Sequence, residues 1–113
     1  MKTKRVYLSG RMSGVPLVIW RWGFSIAKDT LERHGYDVIN PADILVARKP
    51  WLYRAMEWIV GGETAYRVTL AYDLWLLKHC DYIYMVGNDW HLSRGARLER
   101  MKAREWNIKL LEL

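Results

Sequence analysis

The stretch RVYLSGRMSGVPLVIWRWGFSIAKDTLERHGYDVINP, Arg5 to Pro41, decides the fold. Arg5-Val6-Tyr7-Leu8 is rich in β-formers and stops at Ser9-Gly10, which makes it a first strand. Gly10 and Gly14, with Pro16 after them, make Ser9 to Pro16 a loop. From Leu17 to His34 the apolar residues Trp20, Phe24, Ala27 and Leu31 recur at helical spacing, and Gly35 is a C-terminal stop. Tyr36-Asp37-Val38-Ile39 is a second strand, closed by Asn40-Pro41. Strand, helix and strand in such quick succession form a parallel βαβ unit, because a parallel neighbour can be reached only by a crossover.

Downstream of this unit the pattern lapses and then resumes. From Ala42 to Gly62 apolar pieces are interrupted by Pro50 and Gly61-Gly62. We expect a mobile loop there, with one short helix near Leu52 to Ile59. Its Trp51 and Trp58 either cover a pocket or a partner subunit, or staple down a plain surface excursion. Glu63 to His79 carries Tyr66, Leu70, Leu74 and Leu77 on one helical face. Asp81 to Val86 is a buried-looking strand, Gly87-Asn88-Asp89 a loop, Leu92 to Glu105 a helix and Asn107 to Leu111 a last short strand. The expectation is one α/β domain over residues 1–113. It is a small flavodoxin/Rossmann-like, open, mostly parallel sheet of about four strands with helices on both faces. Such sheets bind ligands at the carboxyl ends of their strands, so Ser9–Pro16, Asn40–Asp43 and Gly87–Ser93 are the loops to inspect.

Composition narrows the functional classes. The chain has 113 residues, 51% of them hydrophobic and 27% charged, as in a globular domain. No apolar run reaches the roughly 18 residues of a membrane span. Only Val6-Tyr7-Leu8 follows the basic N-terminus, short of the about 7–15 apolar residues of a secretory signal. A single cysteine, Cys80, excludes an intrachain disulfide and any multi-cysteine metal site. The expected location is the cytoplasm of a bacterium or a phage-infected cell, with no membrane partner. The net charge of +6 favours anionic partners such as phosphates or nucleic acid. Seven tryptophans are more than so small a core hides easily, which places some at an interface or a pocket.

The dinucleotide-binding glycine fingerprint, the phosphate-binding P-loop and His/Cys metal spacings are all absent. No metal or cofactor is therefore expected. His34 and His79 fall at helix ends, where a cation satisfies the last carbonyls; His91 stands in a loop beside the candidate site. Two acids are in odd company. Asp73 lies mid-helix among Leu70, Leu76 and Leu77, a costly place for an unpaired carboxylate. Glu99 has Ala96 and Ala103 at helical spacing, a narrow small-residue face. Each has a plainer reading: a salt bridge for Asp73, and pairing with Lys102 on a surface helix for Glu99. Together at strand ends they suit chemistry at an anomeric carbon, where one acid attacks and the other manages the leaving group's proton. Ser93-Arg94-Gly95 opens the Glu99 helix with free backbone N–H groups, a hydroxyl and a cation, a cradle for phosphate.

Four segments in order carry a resemblance. They are Val6-Tyr7-Leu8-Ser9-Gly10 with Met12-Ser13-Gly14; Gly35-Tyr36-Asp37-Val38-Ile39-Asn40-Pro41-Ala42; Tyr72-Asp73-Leu74 through Cys80-Asp81; and Ser93-Arg94-Gly95-Ala96-Arg97-Leu98-Glu99. In these the chain resembles the nucleoside 2-deoxyribosyltransferase-like superfamily, including the 2′-deoxynucleoside 5′-phosphate N-hydrolases, and most of all its short members found in bacteriophage genomes. Roughly residues 43–65 stay unmatched. The resemblance implies that Glu99 is a nucleophile that attacks C1′ of deoxyribose. It implies that Asp73 assists departure of the base and that Tyr7 orients Glu99. Ser93 and Gly95, with Arg94 between them, would meet the 5′-phosphate, with Ser9, Gly10 and Arg11 opposite, and Asp43 would meet sugar or base. Arg94 and Arg97 are bulkier and more cationic than a plain glycine-rich turn. A neighbouring subunit often completes the pocket in this superfamily, so a homodimer or higher homo-oligomer is expected, with Trp51, Trp58 and Trp75 as contacts.

Three functions follow. The first is cleavage or exchange of the N-glycosidic bond of a 2′-deoxynucleoside 5′-monophosphate through a glutamyl-deoxyribose intermediate. The second is a non-catalytic module that captures a nucleotide or nucleotide-derived signal in the same pocket. The third, a basic nucleic-acid binder, demands binding that falls steeply with salt. A small nucleotide, not a nucleic-acid strand, is the expected partner.

Overall fold

The computed structural model describes residues 3–11, 17–40 and 61–112. Its elements are β1 (Arg5–Gly10), α1 (Leu17–Arg33), β2 (Asp37–Ile39), α2 (Gly62–Lys78), β3 (Tyr82–Val86), α3 (Arg94–Glu105) and β4 (Lys109–Leu110), with a 3-10 turn at Trp90–Leu92. The four strands form one sheet in the order β2-β1-β3-β4, every pairing parallel. The α/β class, the strand count and the parallel sheet are as the sequence leads one to expect. The helix expected near Leu52 to Ile59, Trp51, Trp58, Asp43 and most of the Ser9–Pro16 loop lie outside the described residues.

Alternation along β1 divides the interior in two, since successive side chains of a strand point to opposite faces. Val6 and Leu8 pack with Phe24, Ala27 and Leu31 of α1 and with Val38 of β2. Tyr7 turns the other way and packs with Leu77 of α2, Ile83 of β3, Ala103 of α3, Cys80 and Ile108. Both faces are thus covered, which is why β1 is buried from Val6 to Gly10 rather than alternating in burial. Burial of a side chain such as Leu31 or Phe24 contributes roughly 1.5–3 kcal/mol.

Local chemistry sets the element ends. Gly35 ends the α1 turn at φ +90°, a conformation that disfavours residues bearing a Cβ. His34 Nδ1 donates to the Thr30 carbonyl at 2.8 Å and His79 Nδ1 to the Trp75 carbonyl at 2.7 Å. Both histidines are thus engaged at helix C-termini, where unpaired carbonyls need donors. α2 and α3 lie side by side. Glu63 meets Arg94 at their N-terminal ends (3.3 Å), and the Lys78 ammonium lies over the Trp106 ring at their C-terminal ends (5.8 Å).

Three boundaries differ from the sequence reading. β1 does not stop at Leu8 but runs through Ser9 and Gly10, which pair with Met85 and Val86. Gly10 allows this because a Cβ there would sit 2.9 Å from the Val86 carbonyl oxygen and 3.1 Å from Phe24. The last helix begins at Arg94, not Leu92. Ser93 has extended backbone and its Oγ accepts from Ala96 N at 3.3 Å, an N-cap that sets the start. The last strand is shorter than Asn107 to Leu111, because Asn107 takes a positive φ of 57° to leave α3.

Candidate functional site

The sheet order has one switch point. β1 connects through α1 to β2 on one side, and the chain returns through α2 to β3 on the other, so the crevice opens between the carboxyl ends of β1 and β3. Tyr7 and Ser9 are two positions apart on β1 and therefore share the face covered by α2 and α3. Across from them, α3 presents Ala96, Glu99 and Ala103 as its buried residues. The two alanines are nearly fully buried, and their small size lets α3 approach the sheet until Glu99 is only 6% exposed.

Glu99 is held at both oxygens. The Tyr7 hydroxyl donates to Oε2, and Ser9 Oγ donates to Oε1 at 2.7 Å. The surface pairing with Lys102 does not occur; Lys102 bonds Glu105 instead, at 3.1 Å. Asp73, on α2, is the second acid of the cluster. Burial pushes its carboxyl up to about 8, and the charge of Glu99 pushes the same way. Burial also pushes Glu99 up, to about 7, while the Tyr7 and Ser9 hydroxyls pull it back. Tyr7 is held well above the ordinary phenol range, first by burial and then by Glu99 and Asp73, so it stays a hydroxyl donor. Both carboxyls are thus pushed toward their protonated forms, Glu99 by burial and Asp73 by burial and the charge of Glu99.

The other residues singled out in sequence surround this pair unevenly. Gly10 ends β1 at the crevice. Arg11 follows it and pairs with Asp89 at 3.7 Å, a bridge from the end of β1 to the loop after β3. Ser93 caps α3, and Gly95 lies in its first turn, where helical N–H groups lack intrahelical acceptors. Arg94 reaches Glu63 at 3.3 Å, and this contact holds Glu63 below its ordinary carboxylate range. His91 sits in the 3-10 turn with its ring edge-on to Trp90, 6.0 Å between centroids. Trp75 lies on the outer face of α2, 57% exposed, stacked on Tyr72 at 6.0 Å. Among the described residues no group of three His, Cys, Asp or Glu could hold a metal ion, and no helix is long and apolar enough to cross a membrane. A cleft of about 260 Å³ lined by Ser25, Lys28, Asp29, Glu32 and Asn40 belongs to α1 and the end of β2, apart from this cluster.

Sequence reasoning missed three relationships. Asp89 and Glu63 gave no signal as partners of Arg11 and Arg94, since both pairings depend on how loops and helices dock. The contact of Ser9 with Glu99 was within reach: a hydroxyl two positions after Tyr7 must share its face once β1 extends to Gly10. The chain matches the family described as a domain of unknown function, DUF4406, over residues 4–112. No curated protein and no solved structure matches it.

Proposed function

The chain belongs to the DUF4406 family, and from the chemistry of its own site we propose that it cleaves or exchanges the N-glycosidic bond of 2′-deoxynucleoside 5′-monophosphates. The observation that carries this reading is the buried Glu99 carboxylate, oriented at both oxygens by Tyr7 and Ser9 and coupled to Asp73. A lone buried glutamate is a cost to folding; one held in a fixed orientation beside a second acid is a nucleophile with a proton donor at hand.

In the proposed reaction an oxygen of Glu99 bonds to C1′ as the C1′–N bond breaks. The bond's electron pair leaves with the base, which takes the proton of Asp73. Water then adds to C1′, its proton returns to Asp73, and Glu99 is released with deoxyribose 5-phosphate as product. A second base in place of water makes the reaction a transfer. The 5′-phosphate meets the start of α3 at Ser93, Arg94 and Gly95, with Arg11 and Gly10 opposite; for this Arg11 and Arg94 exchange part of their hold on Asp89 and Glu63. Asp43 belongs to the same proposal as a sugar or base contact. So does assembly into at least a dimer, for which the exposed Trp75 is the contact within the described residues.

The test is a mass-spectrometric time course with each deoxynucleoside 5′-monophosphate and its ribo counterpart, with and without added free base, beside Glu99→Gln. Free base and deoxyribose 5-phosphate formed by the wild type alone support the reading. Tight binding of unreacted nucleotide with no product over days overturns it in favour of a nucleotide-capturing module.

A further inference from the structure

The cations on the helices differ in how they are balanced. Each one on α1 and α2 has a partner. Lys28 meets Glu32 at 3.8 Å, Arg33 meets Asp29 at 2.8 Å and Arg67 meets Glu63 at 3.5 Å. The Arg21 guanidinium lies over the Trp20 ring, and the Lys78 ammonium over Trp106. On α3, Arg94 pairs with Glu63 and Lys102 with Glu105. Arg97, Arg100 and Arg104 pair with no acid among the described residues. Residues 41–60 hold Arg48, Lys49 and Arg54 against Asp43 and Glu57, so that stretch brings no surplus of negative charge.

The three arginines follow one another at three and four positions and so line one side of α3. It is not the buried side, which Ala96, Glu99 and Ala103 form. Arg97 and Arg104 are exposed and Arg100 is half-buried. Like charges at this spacing repel and weaken a helix, so the row costs stability and gains nothing from the rest of the described fold. At 1.5 Å per residue it is about 10 Å long. Phosphates on one strand of a duplex rise about 3.4 Å each, so the row spans about three nucleotide steps. Its planar guanidinium groups bind phosphate oxygens in pairs, which an ammonium does not. Met101 is the one large apolar side chain exposed on α3. A membrane surface needs a broad apolar face, and a protein partner needs aromatic anchors; α3 offers neither here.

We propose that the outer side of α3 binds the phosphate backbone of a nucleic acid through Arg97, Arg100 and Arg104. Contacts to phosphate alone carry no base information, so the binding is independent of sequence. It does not rest on the chemistry at Glu99, which faces the other way from the same helix.

The experiment follows fluorescence anisotropy of a labelled single strand of about 20 nucleotides and its duplex, each as DNA and as RNA, with the full chain at about 50 to about 200 mM KCl. Three phosphate contacts predict an affinity that falls about 15- to 40-fold over that range, with a log–log slope of about −2 on a single strand and about −3 on a duplex. Arg97→Gln, Arg100→Gln and Arg104→Gln should each reduce the slope by about one, and together remove most of it. Lys28→Gln, Arg33→Gln and Arg67→Gln combined take the same charge from paired positions and should keep the wild-type slope. Circular dichroism checks folding. Equal losses in the two triple variants overturn the proposal, because net charge and not the row is then what binds. So does a wild type that binds none of the four nucleic acids at low salt, a readout that needs no variant to fold. Binding of an acidic peptide or anionic vesicles through these arginines in place of nucleic acid overturns it as well. A deoxynucleoside 5′-monophosphate at matched ionic strength should leave the strand bound; displacement assigns the row to the nucleotide site and overturns the proposal. Salt-dependent binding through the row without any turnover sustains it and sinks only the glycosidase reading.

Discussion

Tyr7 and Glu99, 92 positions apart in sequence, meet in a hydrogen bond closed off from solvent on both sides. The bond links the central strand to the last helix, and it holds Glu99 in one orientation. A carboxylate fixed in this way has already given up the rotational freedom it would have in water.

Substitution separates the roles. Glu99→Gln preserves shape and is expected to lower turnover of deoxynucleoside monophosphates by at least about 1,000-fold while leaving their binding nearly intact. Asp73→Asn removes the proton donor of the proposed reaction, for an expected loss of about 100- to 10,000-fold. Steady-state kinetics with a binding isotherm for each variant checks both; equal kcat in wild type and Glu99→Gln is the result that removes Glu99 from the chemistry.

The pH profile of kcat/KM should be a narrow bell. The proposed reaction needs Glu99 ionised, which would set the rising limb at about 7, and Asp73 protonated, which would set the falling limb at about 8. Because the two groups interact, the limbs report the pair and not each residue alone. Asp73→Asn is expected to lose the falling limb in whatever activity remains.

Stability should run against this profile. Glu99 is raised from 4.5 to about 7 and Asp73 from 3.8 to about 8, so the folded protein binds these protons more tightly than the unfolded chain. Their contribution is fully present below pH 4 and is lost as pH rises through about 7 and about 8. For Glu99 the loss is on the order of 3 kcal/mol. Thermal melts should therefore give a Tm that falls from pH 5 to pH 9, and a flatter dependence for Glu99→Gln.

Gly10 should not tolerate a side chain. The Cβ of Gly10→Ala would lie 2.9 Å from the Val86 carbonyl oxygen, a backbone atom that cannot swing away, and 3.1 Å from Phe24. A cost of about 1–3 kcal/mol is expected, read as a lower urea midpoint, together with loss of amide-exchange protection where Ser9 and Gly10 pair with Met85 and Val86.

Trp75→Ala tests the assembly. If Trp75 forms a contact between subunits, light scattering behind size exclusion gives at least a dimer for wild type and a smaller species for the variant. A wild type that elutes as a monomer at every concentration removes the subunit contact from the proposal.

Much of this was legible without coordinates because it depends on local periodicity. The strand and helix patterns of Arg5 to Pro41 dictate a parallel βαβ unit, and parallel strands with helical crossovers leave little choice but a sheet covered on both faces. Even Glu99 stood out, since a carboxylate set between Ala96 and Ala103 at helical spacing points along a face meant for close packing. What periodicity could not reach was where β1 ends. That depends on the carbonyl of Val86 approaching Gly10, a contact between residues far apart in the chain. Nor could it show that Ser9 serves Glu99, that Lys102 turns away to Glu105, or that Arg11 is held by Asp89. Secondary structure is written in spacings of two and of three to four residues, which the sequence carries by itself. The protonation of Glu99 and Asp73 is set by donors, charge and burial that come from separate elements, and only the tertiary structure brings those together.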